Sequence, residues 1–338
     1  LIATAALTNI ETKDALKPGD EVIVPALAWS TTIWPLIQHG LVPVIVDINP
    51  LSMNLDPNEV ERAIGNKTRG IMLVHVYGNP CDMTAIQDIV KRHSLILIED
   101  CCEALGASYD NEPVGSFGQV GTFSFYFSHH ITTLEGGMCV TNDGDLADMM
   151  RILRAHGWVR EMANPDKHLT ISPDIDPRFL FVNLGYNLRA TELQGGFGYT
   201  QLRKLDRFLA IRTSNAHYWK NELSKLNEFF GFQQENPRGR HSWFGFPMTV
   251  RTTAPFTVKD VRRFLNDRGI ETRPIIAGNI AEQPAMKLYE HRVSGSLSNS
   301  SHIMNNGFTF GNHQGIENAA REYVASTLYD FAAEHALC

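Results

Sequence analysis

Short, uninterrupted apolar runs alternate with helical stretches through the first half of the chain, and few folds accommodate that rhythm. The runs fall at residues 21–24, 42–46, 70–76, 95–98 and 121–125, and helical patterns occupy 30–39, 57–65, 83–93 and 145–156. A strand that is apolar on both faces leaves no side for water. The runs therefore predict a mainly parallel sheet with helices packed on both faces. Ligands of such sheets gather beyond the carboxyl ends of the strands. Trp29, Asp47, Tyr77, Asp100 and Ser128 all stand at or just past those ends.

Beyond Trp158 a polar stretch with prolines, 164–177, reads as a long loop, and a helix is predicted from about 190 to 226. Turn residues at 234–240 mark a domain boundary. Residues 1–235 form the larger expected domain. Residues 236–338 form a smaller α/β domain, with a strand near 243–250 and a helix at 257–268. The opening residues read as a helix running to about Leu16, closed by Lys17, Pro18, Gly19 and Asp20. The first residue is not Met, so the numbered chain is expected to start after the natural beginning.

With 338 residues and 43% hydrophobic composition the chain can bury a full core. A net charge of −7 argues against a nucleic-acid partner. No apolar run approaches the roughly 20 residues needed to cross a bilayer, and the apolar start lacks a basic region and a cleavage site. Cys81, Cys101, Cys102, Cys139 and Cys338 are scattered and odd in number. That usage suits reduced thiols in a cytoplasmic enzyme, and their spacing matches neither a zinc site nor an iron–sulfur cluster. There is no internal repeat and no dinucleotide-binding glycine pattern.

Chemistry-bearing residues cluster in a few segments. Asp100 ends an apolar strand, and Glu103 follows it in ED-CCE-ALGA. Taken singly, such an aspartate reads as a helix cap or half of an ion pair. The segment SFYFSHHITTLEGG at 124–137 places Ser124 on the next strand and His129 just past it. Trp29 precedes a Ser-Thr-Thr helix start, His156 sits in RAHG, and Asn187 and Arg189 share GYNLR.

In order and spacing these segments resemble the nucleotide-sugar aminotransferase family of fold-type I enzymes, which use pyridoxal phosphate (PLP). The likeness spans almost the whole chain, dense to about residue 226 and looser beyond. It implies a seven-stranded type of mainly parallel sheet with a smaller C-terminal domain. It also implies roles for individual residues. Asp100 would pair with the protonated cofactor ring nitrogen, turning the ring into an electron sink. Glu103 would lie near the ring hydroxyl, Trp29 over the ring face, and Ser124 on the phosphate. Asn187 would reach the phosphate of a neighbouring subunit, which implies a homodimer with shared sites. His156, Arg189 and Arg273 are weaker candidates for substrate oxygens. The phosphate grip that the family has at the start of the first helix is not in the numbered chain.

The departure is at His129. The family holds a lysine there, and that lysine forms the Schiff base with PLP. Imidazole makes no stable imine, but it can move protons near neutral pH. The Ser-His-His pattern resembles the family's subgroup of 4-keto-6-deoxy-sugar 3-dehydratases. One branch of that subgroup, acting on CDP-sugars, carries a cysteine-rich segment for an iron–sulfur cluster, which is absent here. The other branch acts on a GDP-linked sugar of the colitose pathway and needs only PLP and glutamate. The resemblance therefore implies glutamate as co-substrate, a non-covalently held pyridoxamine phosphate and a nucleotide-linked 4-keto-6-deoxy sugar. The alternatives are amine transfer to a sugar, or dehydration of a CDP- or dTDP-linked one.

Overall fold

The apolar runs lie side by side in a seven-stranded sheet. In the computed structural model, which describes residues 1–9, 15–171 and 174–335, its strands are Glu21–Pro25, Val42–Val46, Thr68–Val74, Ile96–Asp100, Val120–Ser124, Gly137–Val140 and Arg292–Val293. Across the sheet the order is 292–293, 42–46, 21–25, 68–74, 96–100, 120–124 and 137–140. All pairings are parallel except the last, which is antiparallel. Parallel neighbours require crossovers, and the helices Ser30–Gln38, Pro57–Ala63 and Met83–His93 provide the first three.

Both faces of the sheet are buried, as the unbroken apolar runs require. Val22, Val24, Met72, Val74 and Ile98 pack into one core, while Ile23, Val44, Ile71, Leu73 and Leu97 pack into another. The helix boundaries follow from local chemistry. The Asp82 carboxylate accepts the N–H of Ala85 at the start of Met83–His93, whose last turn holds Lys91, Arg92 and His93. Asp143 likewise accepts the N–H groups of Asp145 and Leu146 ahead of Gly144–Arg154.

Several boundaries differ from the sequence expectation. The first helix is only Ile2–Leu7; the Thr8 hydroxyl donates to the Thr4 carbonyl, and Leu16 N–H returns to the Leu7 carbonyl, folding the chain back. Part of the predicted longer helix, residues 10–14, lies outside the described residues. The expected loop 164–177 contains a short helix, Asp166–Ile171, starting just after Pro165. The single helix predicted over 190–226 is two, Glu192–Leu202 and Leu205–Glu222, followed by a 3₁₀ turn at Leu223–Leu226. Thr191 and Gln194 form a capping box that fixes the start of the first of these.

A smaller antiparallel sheet, ordered 272–273, 307–311, 245–250 and 230–232, forms a second core with helices Leu205–Glu222, Val258–Asp267 and Asn318–His335. Trp219 anchors it, with the rings of Phe310 and Phe246 at 4.9 and 5.4 Å. A single cut at 235/236 does not describe this packing. Helix 205–222 belongs to the second core, whereas Ile275, Ile280, Met286 and Ile303 return to the first. Arg292–Val293 even adds the edge strand of the large sheet. No helix among the described residues is long and apolar enough to cross a membrane.

Candidate active site

Register brings Val74 beside Asp100 and Asp100 beside Thr122, so the chain leaves adjacent strands at one edge. Asp100 is 8% exposed there. One of its carboxylate oxygens accepts the Thr32 hydroxyl at 2.7 Å, and the other accepts the Cys102 N–H at 3.0 Å. Thr32 belongs to the first turn of the helix that Trp29 precedes. Trp29, by contrast, is 56% exposed and makes no capping bond. An indole left open beside a buried carboxylate suits a flat, cationic heteroaromatic ring.

Glu103 follows two residues after the Cys101 turn and accepts the backbone N–H of Tyr77 at 2.9 Å. Burial pushes its carboxyl up to about 7; the Tyr77 N–H opposes this and the charge of Asp100 adds to it. Ser124 ends the strand Val120–Ser124, half-buried, with its hydroxyl oxygen accepting the Tyr126 N–H at 3.3 Å.

His129 lies between two rings, Phe244 at 5.0 Å and Tyr126 at 5.9 Å. Its Nδ1 is buried and has no hydrogen-bond partner. Burial lowers its pKa to about 4, opposed by the carboxylate of Asp100 and assisted by the cation of Arg212. The ring is therefore neutral at pH 7, with a lone pair free for a proton. No lysine stands between Lys91 and Lys167, so none lies on the segments that carry Asp100, Glu103, Ser124 and His129. The donor set fits PLP: a carboxylate for the ring nitrogen, an open indole for the ring face, a hydroxyl near the phosphate and an unpaired imidazole nitrogen.

His156, Asn187 and Arg189 form a separate group. The His156 ring meets Trp158 edge-on at 5.2 Å, Asn187 bridges to Ala155, and the Arg189 guanidinium stands 5.9 Å from the Trp158 ring. The glycines of these two segments explain each other. A side chain on Gly185 would strike Gly157 N at 2.0 Å, and one on Gly157, at φ +84°, would strike the Asn183 carbonyl. Asn187 is exposed and its amide oxygen accepts only from Arg189, at 3.4 Å. Arg273 is exposed and paired with Glu271 at 2.9 Å.

Two strand-end residues are structural. Asp47 accepts the N–H groups of Asn299 and Ser300, both at 2.9 Å, capping the helix Ser298–Asn306. His75 approaches Glu99 at 3.2 Å, and its Nδ1 accepts the Cys81 N–H. His75, Glu99 and Cys101 are close enough to hold a metal ion, but Glu99 is already committed to the N–H groups of Gly115, Phe117 and Gly118. Thr32, Arg212 and Phe244 were not picked out as site residues from sequence, and Tyr77 was noted only for its place at a strand end. Their part depends on contacts across 26 to 115 positions, and only the Ser-Thr-Thr helix start beside Trp29 hinted at one of them.

The model of the DegT/DnrJ/EryC1/StrS aminotransferase family matches residues 3–329. The chain belongs to that family. Among its relatives is the GDP-4-keto-6-deoxy-D-mannose 3-dehydratase of Escherichia coli O55:H7, 39% identical over 305 residues, which are 89% of this chain and 78% of the relative. The enzyme of the same name from Yersinia pseudotuberculosis is 40% identical over 306 residues, 89% and 77% of the two chains. A solved structure of GDP-4-keto-6-deoxymannose-3-dehydratase, described with a trapped PLP–glutamate geminal diamine, superposes with a TM-score of 0.88. It is 36% identical and covers 97% of this chain and 84% of that one. The fold expected from the sequence, a PLP-dependent transferase architecture with a mainly parallel sheet, is thus the fold of this family member.

Proposed function

We propose that this chain is a PLP- and glutamate-dependent dehydratase that removes the C3 hydroxyl of GDP-4-keto-6-deoxy-D-mannose in the cytoplasm. The observation that carries the reading is His129: a neutral imidazole with an unpaired buried nitrogen, on a segment without lysine. The names of the relatives support the substrate. Bound PLP supplies the carbonyl that accepts glutamate's amino group and, in its amino form, the electron sink through which the C3 oxygen leaves. Overall, glutamate and the 3-hydroxy-4-keto sugar give 2-oxoglutarate, ammonia and the 3-deoxy-4-keto sugar, balanced without net water.

The chain's own residues divide the work. Asp100 holds a negative charge where the cofactor ring nitrogen would be protonated, and Thr32 and the Cys102 N–H fix its two oxygens. Trp29 would cover the ring and Ser124 would hold a phosphate oxygen. His129, with its unpaired buried nitrogen, would take up a proton at the cofactor carbon and return it to the departing hydroxyl. A lysine would do the first of these, but it would also bind the aldehyde covalently and favour amine transfer.

The partner is a second copy of the chain. Leu184, 92% exposed, and Leu193, 85% exposed, lie with the exposed Phe181, Leu188 and Phe197 on the stretch of chain that carries Asn187. Exposure of so many large apolar side chains on one stretch supports an interface, and Asn187 would cross it to the partner's cofactor.

The test is incubation with PLP, glutamate and GDP-, CDP- and dTDP-linked 4-keto-6-deoxy sugars, followed by product identification. Ammonia and 2-oxoglutarate in equal amounts with a 3-deoxy GDP-sugar are expected. A 4-amino sugar as the main product would overturn the reading in favour of an aminotransferase. His129→Asn is expected to stop dehydration while PLP still binds, and His129→Lys to give a visible covalent cofactor band.

A further inference from the structure

Arg212 is 2% exposed, and no carboxylate pairs with it among the described residues. Its guanidinium donates to three backbone carbonyls instead: Phe244 at 3.0 Å, Trp243 at 3.4 Å, and Asn312. Asn312 answers with its own amide, donating to the carbonyls of Arg212 at 3.0 Å and Trp243 at 3.2 Å. The clamp ties helix 205–222 to the 242–244 segment, where Trp243 takes a left-handed φ of 51°. A bulky residue adopts that conformation only when its surroundings impose it.

The clamped segment faces the histidine pair. The Ser242 carbonyl lies 3.0 Å from His130 Nε2, and the Phe244 ring packs against both His129 and His130. Burial lowers the Arg212 pKa only to about 10, so it stays charged at neutral pH. Its charge presses on His129, His130 and His313 alike. A neutral amide could donate to the same carbonyls without the cost of burying a lone cation, several kcal/mol by general experience. The charge itself therefore calls for a role.

We infer that Arg212 is a positioning residue for the reaction: it seats the 242–244 segment on the His129–His130 pair, and its charge adds to the burial that keeps His129 a proton acceptor. This rests on the reading of His129 as the base. The charged and titratable groups that face His129 are Asp100 at the strand end, which works against this charge, Arg212 on its helix, His130 beside it and the Tyr126 phenol, whose ring meets it edge-on.

Arg212→Gln keeps donors for the carbonyls and removes the charge. Asn215→Asp leaves the guanidinium in place and adds a carboxylate at the i+3 position, on a side chain whose amide nitrogen is buried without a partner. The experiment is titration of the His129 imidazole by NMR in ¹⁵N-histidine-labelled full-length protein, with and without PLP, alongside the pH–rate profile of dehydration. In both variants the His129 midpoint is expected to rise by roughly half a pH unit or more. The acidic limb of the rate profile should move with it, while cofactor absorbance and melting persist. A clamp that serves the fold without bearing on His129 would leave both midpoint and limb in place. An unmoved midpoint in folded protein overturns the role of Arg212. A moved midpoint with an unmoved rate limb overturns instead the reading of His129 as the base. If Arg212→Gln fails to fold, Asn215→Asp decides the question alone.

Discussion

Glu103 accepts the backbone N–H of Tyr77 at 2.9 Å, joining the turn after strand 68–74 to the turn after strand 96–100. Tyr77 is 4% exposed and takes a left-handed φ of 55°, so the bond holds a strained turn in a dry place. Burial, with help from Asp100, pushes the Glu103 carboxyl up to about 7. A carboxyl raised in the native state binds its proton more tightly there than in the unfolded chain. Its stabilising effect is complete below about pH 4.5 and is lost as pH climbs through about 7. Glu103→Gln keeps an acceptor for Tyr77 but does not titrate. The cofactor-free variant should match the parent at pH 4.5 and exceed it at pH 8, by at most about 3 kcal/mol. Urea unfolding at the two pH values checks this.

Asp100→Asn removes the negative charge proposed to face the cofactor ring while leaving an oxygen for Thr32 or Cys102. PLP affinity is expected to fall at least tenfold, about 1.4 kcal/mol or more. The dehydration rate of the fully loaded variant should fall further than affinity does, because the electron sink weakens. Absorbance titration with PLP and a saturating rate measurement separate the two effects. Equal affinity in parent and variant would remove Asp100 from the site.

Much of this was legible in the sequence, for physical reasons. Strand 42–46 was placed to the residue because an apolar run buried on both faces permits one register. Asp100 stood out at a strand end, where a parallel sheet exposes its ligand crevice, whereas Glu103 and His129 were singled out by the resemblance of their segments to the family. The edge strand Arg292–Val293 carried no such signal: two residues of it pair with Val44 and Ile45, far back in the chain. The break at Arg203 and Lys204 was masked by residues that all suit a helix. The capping box of Thr191 and Gln194 lay inside the predicted helix, and it marked the true start. The Arg212 clamp was invisible, because its partners are main-chain carbonyls, which no side-chain pattern encodes.

Glu99 has no exposed surface, and it accepts the N–H groups of Gly115, Phe117 and Gly118 at 2.7 Å each, with His75 at 3.2 Å. Burial would raise its carboxyl, but His75 and the glycine N–H groups outweigh that and hold it below the ordinary range. A depressed carboxyl stabilises the fold above its unfolded pKa, and the effect is lost as pH falls. Glu99→Ala strands three donors and is expected to cost about 3–5 kcal/mol at pH 7. Glu99→Gln, with a single acceptor oxygen, should lose less and also flatten the acid side of the stability curve. Denaturation midpoints from pH 4 to 7 test both. A small loss for Glu99→Ala would mean that water replaces the carboxylate.

The proposal that Asn187 serves the partner's cofactor makes a sharper demand than dimerisation alone. His129→Asn and Asn187→Ala should each be inactive or nearly so as homodimers. In a mixed dimer, one site would carry both lesions if Asn187 crosses the interface, and the other would carry neither. Random pairing makes half of the molecules mixed, each with one intact site, so roughly a quarter of the parental rate should return. If Asn187 acts within its own subunit, every site in every dimer keeps one lesion and mixing restores nothing. Denaturing and refolding the two variants together, then assaying ammonia release, distinguishes the cases. Leu193→Lys, which puts a charge on the exposed apolar surface, should abolish the restored activity by preventing pairing, and sedimentation should report a monomer.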